Sequence, residues 1–382
     1  MPDVVVVGGG VIGAACAREA AARGMSVTLV ERAELAAGAS GRNHGLLLTP
    51  PDAELIPMFR GSREVYEEAA GGAVVPFGMD AEPVGFLIAA TDDKAERTAG
   101  REEAEGIAAS GVACAELDAA GVRELEPGLA DAIVEGWLLE DGWRLDPSAL
   151  TVSLALTPGV DVLRHLTVRS LLAAEGRVRG VVTDAGTIEA DDVVVAAGPW
   201  TPSLLRPLGV NLPVVGARGW LVHLACDEPP VGRLVERAGW HAVSGEEAMS
   251  RLLAAGLVEA LPRPDVGTLL QPNADGTVLV GGSRQRVVAP EPEDPSVPRE
   301  LTRRAVELAP ALGKARVLGS WWGIRPITPD GRPIVARVGE GVVVATGHGS
   351  QGVILGGGTA RLVGSILAGD EPPFDATPFA LR

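Results

Sequence analysis

The sequence predicts an α/β fold of two domains, and three observations lead to it. A run of four valines, residues 4–7, is followed by a glycine turn, an alanine-rich stretch and a second apolar run, which is the order strand, turn, helix, strand. The order strand, glycine turn and helix returns near the C-terminus, over residues 341–367. Between about 213 and 318 the residues alternate as in an antiparallel sheet, with two helical patches. Because 382 residues exceed what one hydrophobic core usually serves, two domains are expected.

The first glycine turn has the spacing of a dinucleotide-binding fingerprint. Gly8, Gly10 and Gly13 follow the valine strand and open the predicted helix. We expect Gly8 to permit a tight turn, Gly10 to let the backbone approach a pyrophosphate and Gly13 to let the helix pack against the strand. Glu31 ends the second strand, eighteen residues after Gly13, where a carboxylate can bind both hydroxyls of an adenosine ribose. The motif leaves open whether the dinucleotide is NAD or FAD.

The remaining elements follow from hydrophobic periodicity and turn residues. The predicted elements are a helix at 52–70, a strand pair at 76–90, a charged helix at 91–110, an alternating region at 133–145, a helix at 148–156, strands at 160–163 and 166–172, a hairpin of 177–184 and 187–190, a buried strand at 192–197 and a helix at 353–367. Ala197 and Gly198 end the buried strand and leave room for a ligand at its carboxyl end.

Charge and cysteine content exclude several classes of function. The net charge of −17, with no basic cluster, disfavours nucleic acid and anionic membrane surfaces as partners. Cys16, Cys114 and Cys226 are isolated and form no CxxC pair, so no metal or iron–sulfur site is predicted. Isolated cysteines and an N-terminus without a signal sequence predict a cytoplasmic protein. A homo-oligomer is compatible with the sequence.

Four blocks of sequence resemble a known family in both content and order. They are VVVVGGGVIG at 4–13 with Glu31, ASGRNHG at 39–45, VVVAAGPW at 193–200, and GIRPITPDGRP at 323–333 followed by ATGHGSQG at 345–352. Together they resemble the FAD-dependent amino-acid oxidase superfamily, which includes D-amino-acid oxidase, glycine oxidase, sarcosine oxidase and the D-hydroxyproline dehydrogenases. The similarity covers nearly the whole chain. The last block favours FAD over NAD, because this family uses a C-terminal strand, turn and helix to close over the flavin.

The resemblance implies a Rossmann-like FAD-binding domain that is discontinuous in sequence, with an antiparallel-sheet α+β substrate domain. The FAD-binding domain would comprise residues 1–75, 147–212 and 319–382, and the substrate domain residues 76–146 and 213–318.

The resemblance also implies a set of residues that bind FAD without a covalent link. They are Gly8, Gly10, Val11, Ile12, Gly13, Glu31, Arg32, Ser40, Gly41, Arg42, Asn43, His44, Gly45, Val168, Ala197, Gly198, Trp200, Gly323, Arg325, Gly347, His348, Gly349, Ser350, Gln351, Gly352 and Val353. A covalent link is not expected, since the C-terminal block has no cysteine and His44 is out of register for a histidyl bond. His348 either contacts the flavin or is a turn residue bonded to backbone.

Arg325 is the first candidate for substrate binding. The family's GxRP arginine binds a substrate carboxylate, and a guanidinium does so bidentately; the alternative is a structural ion pair or a backbone clamp. Arg218 is the second candidate, although its turn also has a structural role between the domains. Trp240, His241, Trp321 and Trp322 are candidates for the walls and polar contacts of the pocket, and the alternative for the tryptophans is core packing.

Two features depart from relatives. The single tyrosine, Tyr66, lies on a predicted helix, so a tyrosine clamp on the carboxylate is not expected. Some sarcosine-type oxidases place a lysine beside the flavin to activate oxygen, but the only lysines here, Lys94 and Lys314, lie outside the recognised blocks, which weakens without excluding an efficient oxidase.

The reaction implied is hydride transfer from the α-carbon of an amino acid to flavin N5, giving an imine, with electrons passing to oxygen or another acceptor. No catalytic acid or base is required. Two alternatives remain, the flavin-bearing subunit of a multi-subunit dehydrogenase and a noncatalytic flavin-binding redox module.

Overall fold

A computed structural model of the chain describes residues 1–239, 265–287 and 294–381. Its strands are β1 (Val4–Val7), β2 (Val27–Val30), β3 (Leu46–Leu47), β4 (Phe86–Ala90), β5 (Cys114–Asp118), β6 (Glu135–Leu139), β7 (Trp143–Arg144), β8 (Val160–Leu163), β9 (Val168–Ala174), β10 (Arg177–Thr183), β11 (Gly186–Glu189), β12 (Asp192–Val195), β13 (Val215–Ala225), β14 (Leu234–Arg237), β15 (Asp265–Pro272), β16 (Thr277–Val287), β17 (Arg316–Ile327), β18 (Ile334–Gly339) and β19 (Val342–Thr346). Its α-helices are α1 (Val11–Ala22), α2 (Ile56–Ala70), α3 (Lys94–Ala108), α4 (Ala119–Leu125), α5 (Pro147–Ala155), α6 (Thr201–Leu205), α7 (Ser296–Leu308) and α8 (Gly352–Ala368).

The first sheet of the described residues has six strands in the order β18-β19-β12-β1-β2-β8. All neighbours are parallel except β18 and β19. The valines of β1 and β12 are buried on both faces of the sheet, which explains why these strands are continuously apolar rather than alternating. The carboxyl ends of β1, β2, β12 and β19 therefore meet at one edge, where α/β sheets bind ligands.

Helices cover one face of this sheet, and a second small sheet covers the other. Helices α1, α2, α5 and α8 share one apolar core, and α8 approaches α2 closely because Gly357 and Gly358 have no side chains. Tyr66 of α2 donates a hydrogen bond of 2.8 Å to the carbonyl of Val353, in the first turn of α8. The three-stranded antiparallel sheet β11-β10-β9 packs on the opposite face.

The other large sheet has eight strands in the order β17-β13-β16-β15-β14-β4-β6-β5. Helix α7 packs on one face through Val297, Leu301 and Leu308. Every neighbouring pair is antiparallel except β14 and β4, which run parallel. The predicted antiparallel sheet is therefore confirmed with one exception, which arises where the segment after β13 returns beside a strand from the first third of the chain.

Several element predictions were too broad. The strand pair predicted at 76–90 is wrong, because only β4 forms a strand there. Gly78 and Gly85 have φ angles of 58° and 90°, which interrupt extended pairing. Strand β5 was not predicted at all, since four of its five residues are exposed and show no alternation.

Strand β17 begins before the predicted domain boundary at 318/319 and stays in the eight-stranded sheet through Ile327. The division of the chain into two domains remains a prediction. No helix in the described ranges is long and apolar enough to cross a bilayer, and the cytoplasmic location also remains a prediction.

Candidate active site

A cavity of about 1190 Å³ lies between the carboxyl ends of the six-stranded sheet and one face of the eight-stranded sheet. Most of the residues that the resemblance implies for FAD or substrate line it. They are Gly8, Gly10, Val11, Ile12, Glu31, Arg32, Ser40, Arg42, Asn43, His44, Gly45, Val168, Ala197, Gly198, Trp200, Trp322, Gly323, Arg325, His348, Gly349, Ser350, Gln351, Gly352 and Val353. Residues from four remote parts of the chain thus meet in one space.

The glycine turn after β1 leaves no room for side chains. A Cβ on Gly8, whose φ is 115°, would lie 2.5 Å from the carbonyl oxygen of Ala196. A Cβ on Gly13 would lie 1.9 Å from the carbonyl oxygen of Gly8, so this glycine allows α1 to pack against the end of β1 and does not itself line the cavity. At Gly10 a Cβ would meet the Ser40 hydroxyl at 2.9 Å.

A side chain from the loop 39–45 caps the N-terminus of α1. Gly10 precedes the helix and provides no side-chain cap. Instead, the backbone N–H of Val11 donates a hydrogen bond of 2.9 Å to the Ser40 hydroxyl. Backbone groups and a hydroxyl therefore surround the positive end of the helix, as an anion-binding site requires.

Glu31 is fixed at the end of β2 by two backbone donors. One carboxylate oxygen accepts a hydrogen bond of 2.7 Å from the N–H of Gly9, and the other accepts one of 2.8 Å from the N–H of Ala33. Beside it, the guanidinium of Arg32 lies 3.8 Å from the ring centre of Trp200, a cation–π contact. These residues form one end of the cavity together with Val168.

The loop 39–45 is ordered by its own polar side chains. Asn43 donates to the carbonyl oxygens of Ala39 and Ser40 at 2.9 and 2.7 Å and accepts from the N–H of Gly45 at 2.7 Å. Arg42 donates to the carbonyl of Trp322 at 3.1 Å, which joins the loop to β17. Gly41 does not line the cavity.

The C-terminal turn leads from β19 into α8. Gly347, with φ of 82°, does not line the cavity, because its position is packed against Thr328. The first residues of α8 line it, so the helix begins at the cavity.

His348, the next residue, is almost fully buried, and its Nε2 lies 2.9 Å from the Thr359 hydroxyl. Burial lowers the pKa of His348 to about 3, so the ring is neutral at physiological pH. It therefore lines the cavity with its ring bonded to Thr359, while its carbonyl accepts a hydrogen bond of 2.8 Å from the N–H of Gln351 in the turn.

Arg325 projects from β17 over the face of the eight-stranded sheet. Its Nη1 donates a hydrogen bond of 2.8 Å to the carbonyl of Ser283 on β16. On the way it passes directly over Gly219 of β13, where a Cβ would lie only 2.1 Å from Nη1. The guanidinium therefore packs directly against the backbone of Gly219, which we call the glycine seat, and it lines the cavity.

Arg218 lies on the opposite face of the same sheet. Side chains alternate along a strand, and since Gly219 faces the cavity, Arg218 does not. Only 2% of Arg218 is exposed, and its guanidinium lies 4.8 Å from the ring centre of Trp322. Arg218 itself does not line the cavity but lies against Trp322, which does, and its role in substrate binding stays a prediction. Trp240 and His241 lie outside the described residues.

His44 contacts residues that sequence spacing does not indicate. Its Nδ1 lies 3.0 Å from the Oε1 of Gln271 on β15, and its Nε2 is enclosed although the residue as a whole is half-buried. Burial lowers the pKa of His44 to about 4, and the positive charge of Arg325 adds to that effect.

Several residues that line the cavity carry no sequence signal. They include Glu103 of α3, Leu221 of β13, Glu236 of β14 and Arg284 of β16, whose strands or helices show only ordinary alternation or charge. Among the described residues no group of three or more His, Cys, Asp or Glu side chains is placed to hold a metal ion.

Comparison with known proteins matches nearly the whole chain. The model of the DAO family, described as FAD dependent oxidoreductase, matches residues 3–366. A glycine oxidase of Pseudomonas putida is 30% identical over 388 residues, covering 99% of this chain and 98% of that protein. A D-amino acid dehydrogenase of Rhodopseudomonas palustris is 32% identical over 273 residues, covering 69% of this chain and 58% of the relative.

A solved structure supports the same fold. The crystal structure of glycine oxidase from Geobacillus kaustophilus aligns with a TM-score of 0.85 at 24% identity, covering 100% of this chain and 98% of that one.

Proposed function

The chain belongs to the DAO family of FAD-dependent oxidoreductases, and from this membership we propose that it oxidises the CH–NH bond of an amino acid to an imine. Relatives named glycine oxidase and D-amino acid dehydrogenase support an amino-acid substrate. The observation that carries the proposal is the position of Arg325, whose guanidinium lines the same cavity as the carboxyl ends of the six-stranded sheet.

The residues present fit FAD. A phosphate group suits the bare backbone of Gly8 and Gly10 at the positive end of α1, and both glycines line the cavity. The carboxylate of Glu31 suits the hydroxyls of a ribose at one end of the cavity. The start of α8 suits the electron-rich end of a flavin, because the positive end of a helix stabilises negative charge.

FAD supplies the redox chemistry by accepting a hydride from the substrate. The contribution of the protein is to bind and orient. Arg325 binds the carboxylate through paired charge-assisted hydrogen bonds, and its contact with Ser283 fixes the direction of the guanidinium. Because Gly219 has no side chain, the guanidinium of Arg325 lies close against the backbone of β13.

The electron acceptor is either oxygen or another molecule. Neither Lys94 nor Lys314 lines the cavity, so the lysine that some relatives use toward oxygen has no counterpart there. Relatives carry both kinds of name, glycine oxidase and D-amino acid dehydrogenase, so the experiment tests oxygen against another acceptor, as for the flavin-bearing subunit of a multi-subunit dehydrogenase.

The test is the visible spectrum of the purified protein after reconstitution with FAD. We expect a yellow chromophore that an amino acid bleaches under anaerobic conditions, in a panel of D-amino acids, glycine, sarcosine and proline derivatives. Readmitted oxygen or a dye then distinguishes the two acceptor classes. A flavin that no amine bleaches would leave only the noncatalytic module.

Arg325→Ala tests the role given to the guanidinium. We expect the Kd for substrate to rise about 100-fold or more, since a bidentate charged contact is lost, while the Kd for FAD changes little. The cation outside the cavity provides a matched control, because Arg218 lies on the other face of the sheet. Equal loss of substrate and FAD binding in Arg325→Ala would assign this arginine a structural role.

A further inference from the structure

We propose that His44 is the amine-binding residue of this site: its Nε2 accepts a hydrogen bond from an N–H of the neutral substrate amine while Arg325 holds the carboxylate. The inference rests on the proposed function and deepens it. It concerns a residue that the family resemblance assigned only to the cofactor.

His44 and Arg325 lie side by side on the same sheet face. Each is seated on a glycine of a neighbouring strand, Arg325 on Gly219 of β13 and His44 on Gly281 of β16. A Cβ on Gly281 would lie 2.2 Å from His44 Nε2, as a Cβ on Gly219 would lie 2.1 Å from Arg325 Nη1. Both side chains line the cavity. An amino acid whose carboxylate lies on Arg325 therefore has its nitrogen close to the imidazole.

A chain of hydrogen bonds determines which nitrogen of His44 carries the proton. The chain ends at the carboxylate of Asp275, which can only accept, so the Thr277 hydroxyl donates to it at 2.6 Å. Asn273 then donates to Thr277 at 3.0 Å, and Gln271 donates to Asn273 at 3.2 Å. Since the Gln271 amide nitrogen is used in this way, its carbonyl oxygen accepts from Nδ1–H of His44. Nε2 therefore carries the lone pair.

Nε2 is an enclosed acceptor with no hydrogen-bond partner among the described residues. A buried polar atom in that condition has a free-energy cost that a ligand N–H removes. Because Nε2 is enclosed and lies against Gly281, the ring has to turn toward the cavity for this contact to form, and hydrogen bonds of this kind often reach their final geometry only with substrate bound. The surroundings keep the imidazole neutral, because burial and Arg325 lower the pKa of His44 to about 4.

A neutral imidazole with its lone pair on Nε2 accepts a hydrogen bond from an amine N–H without itself changing charge. The proton of the substrate ammonium passes to solvent as the substrate enters, and His44 itself takes no proton. Its lone pair then accepts one N–H, which would fix the rotation about the Cα–N bond so that the lone pair of the substrate nitrogen aligns with the Cα–H bond that breaks. Arg325 would thus hold the carboxylate and His44 the nitrogen. With these two groups held, the orientation of the α-carbon between them is restricted.

The test compares two substrates that differ only in their N–H groups. For an amine that bleaches the flavin of the wild-type protein, the rate of anaerobic flavin reduction and the Kd are measured together with those of its N,N-dimethyl analogue. In His44→Leu we expect the efficiency for the N–H substrate to fall about 10- to 100-fold, whereas the N,N-dimethyl analogue changes less than about twofold. His223→Leu is the matched control, because His223 bonds the same Thr277 but does not line the cavity.

Equal losses for both substrates in His44→Leu, or no loss for either, would overturn the inference while leaving the proposed function intact. A wild-type protein whose flavin no amine reduces would instead reject the proposed function. If His44→Leu does not fold, Gln271→Leu replaces it, because Gln271 lies outside the cavity and holds the tautomer. That variant should lose part of the same discrimination between the two substrates, and a full wild-type preference would contradict the assignment.

Discussion

Gly219→Ala should displace the substrate-binding guanidinium without damaging the fold. The new Cβ would lie 2.1 Å from Arg325 Nη1, whereas ordinary contact begins near 3.4 Å, so the guanidinium must move by about 1 Å or more. The obstructing atom is the end of a flexible side chain, and its displacement is easy. Loss of one hydrogen bond to a charged carboxylate costs about 1.5–3 kcal/mol, which corresponds to a Kd about 10- to 150-fold higher.

The assay is a titration of the flavin spectrum with substrate or a carboxylate inhibitor, together with thermal unfolding of the FAD-loaded protein. We expect the Kd for the carboxylate to rise and the melting temperature to change little. Gly319→Ala is the matched control, since Gly319 lies in the neighbouring strand and a Cβ there would have nothing within 4 Å. An unchanged Kd in Gly219→Ala, or the same change in Gly319→Ala, would refute the link between the glycine seat and the carboxylate clamp.

Two further predictions concern the fold around the cofactor. Gly13→Ala places a Cβ 1.9 Å from the backbone oxygen of Gly8, which cannot turn aside, so we expect a loss of several kcal/mol and failure to retain FAD, measured by urea unfolding and flavin content; wild-type stability would show that α1 can shift. His348 protonates near pH 6.5 when unfolded but only near pH 3 when folded, so the folded state loses stability as the pH falls below 6.5, by about 2 kcal/mol between pH 7 and 5. His348→Gln should remove that part of the pH dependence in urea unfolding at the two pH values, and an unchanged difference would contradict the burial argument.

Local motifs could be read from the sequence because their constraints are local. The positions of Gly8 and Gly13 follow from the contact between one strand and the next helix, and the sequence placed both. Glu31 also lies where the spacing put it, although its two backbone partners were not foreseen.

Contacts between remote strands could not be read in the same way. The face on which Arg218 lies depends on the alternation and register of β13, where pairing with β16 shifts between Arg218 and Val222. The partner of His44 is Gln271, 227 residues away. No periodicity in either segment specifies this meeting, because it is determined by how the eight-stranded sheet stacks against the loop 39–45.

The packing of α8 against α2 can be measured through the ionisation of one side chain, Tyr66. It is the only tyrosine of the chain, and its hydroxyl is buried against the first turn of the helix that begins at the cavity. Burial raises the pKa of this phenol, so in alkaline solution its ionisation must wait for α2 and α8 to separate. The ultraviolet absorbance of one side chain would therefore report whether the cofactor end of the cavity is assembled, without any ligand or label.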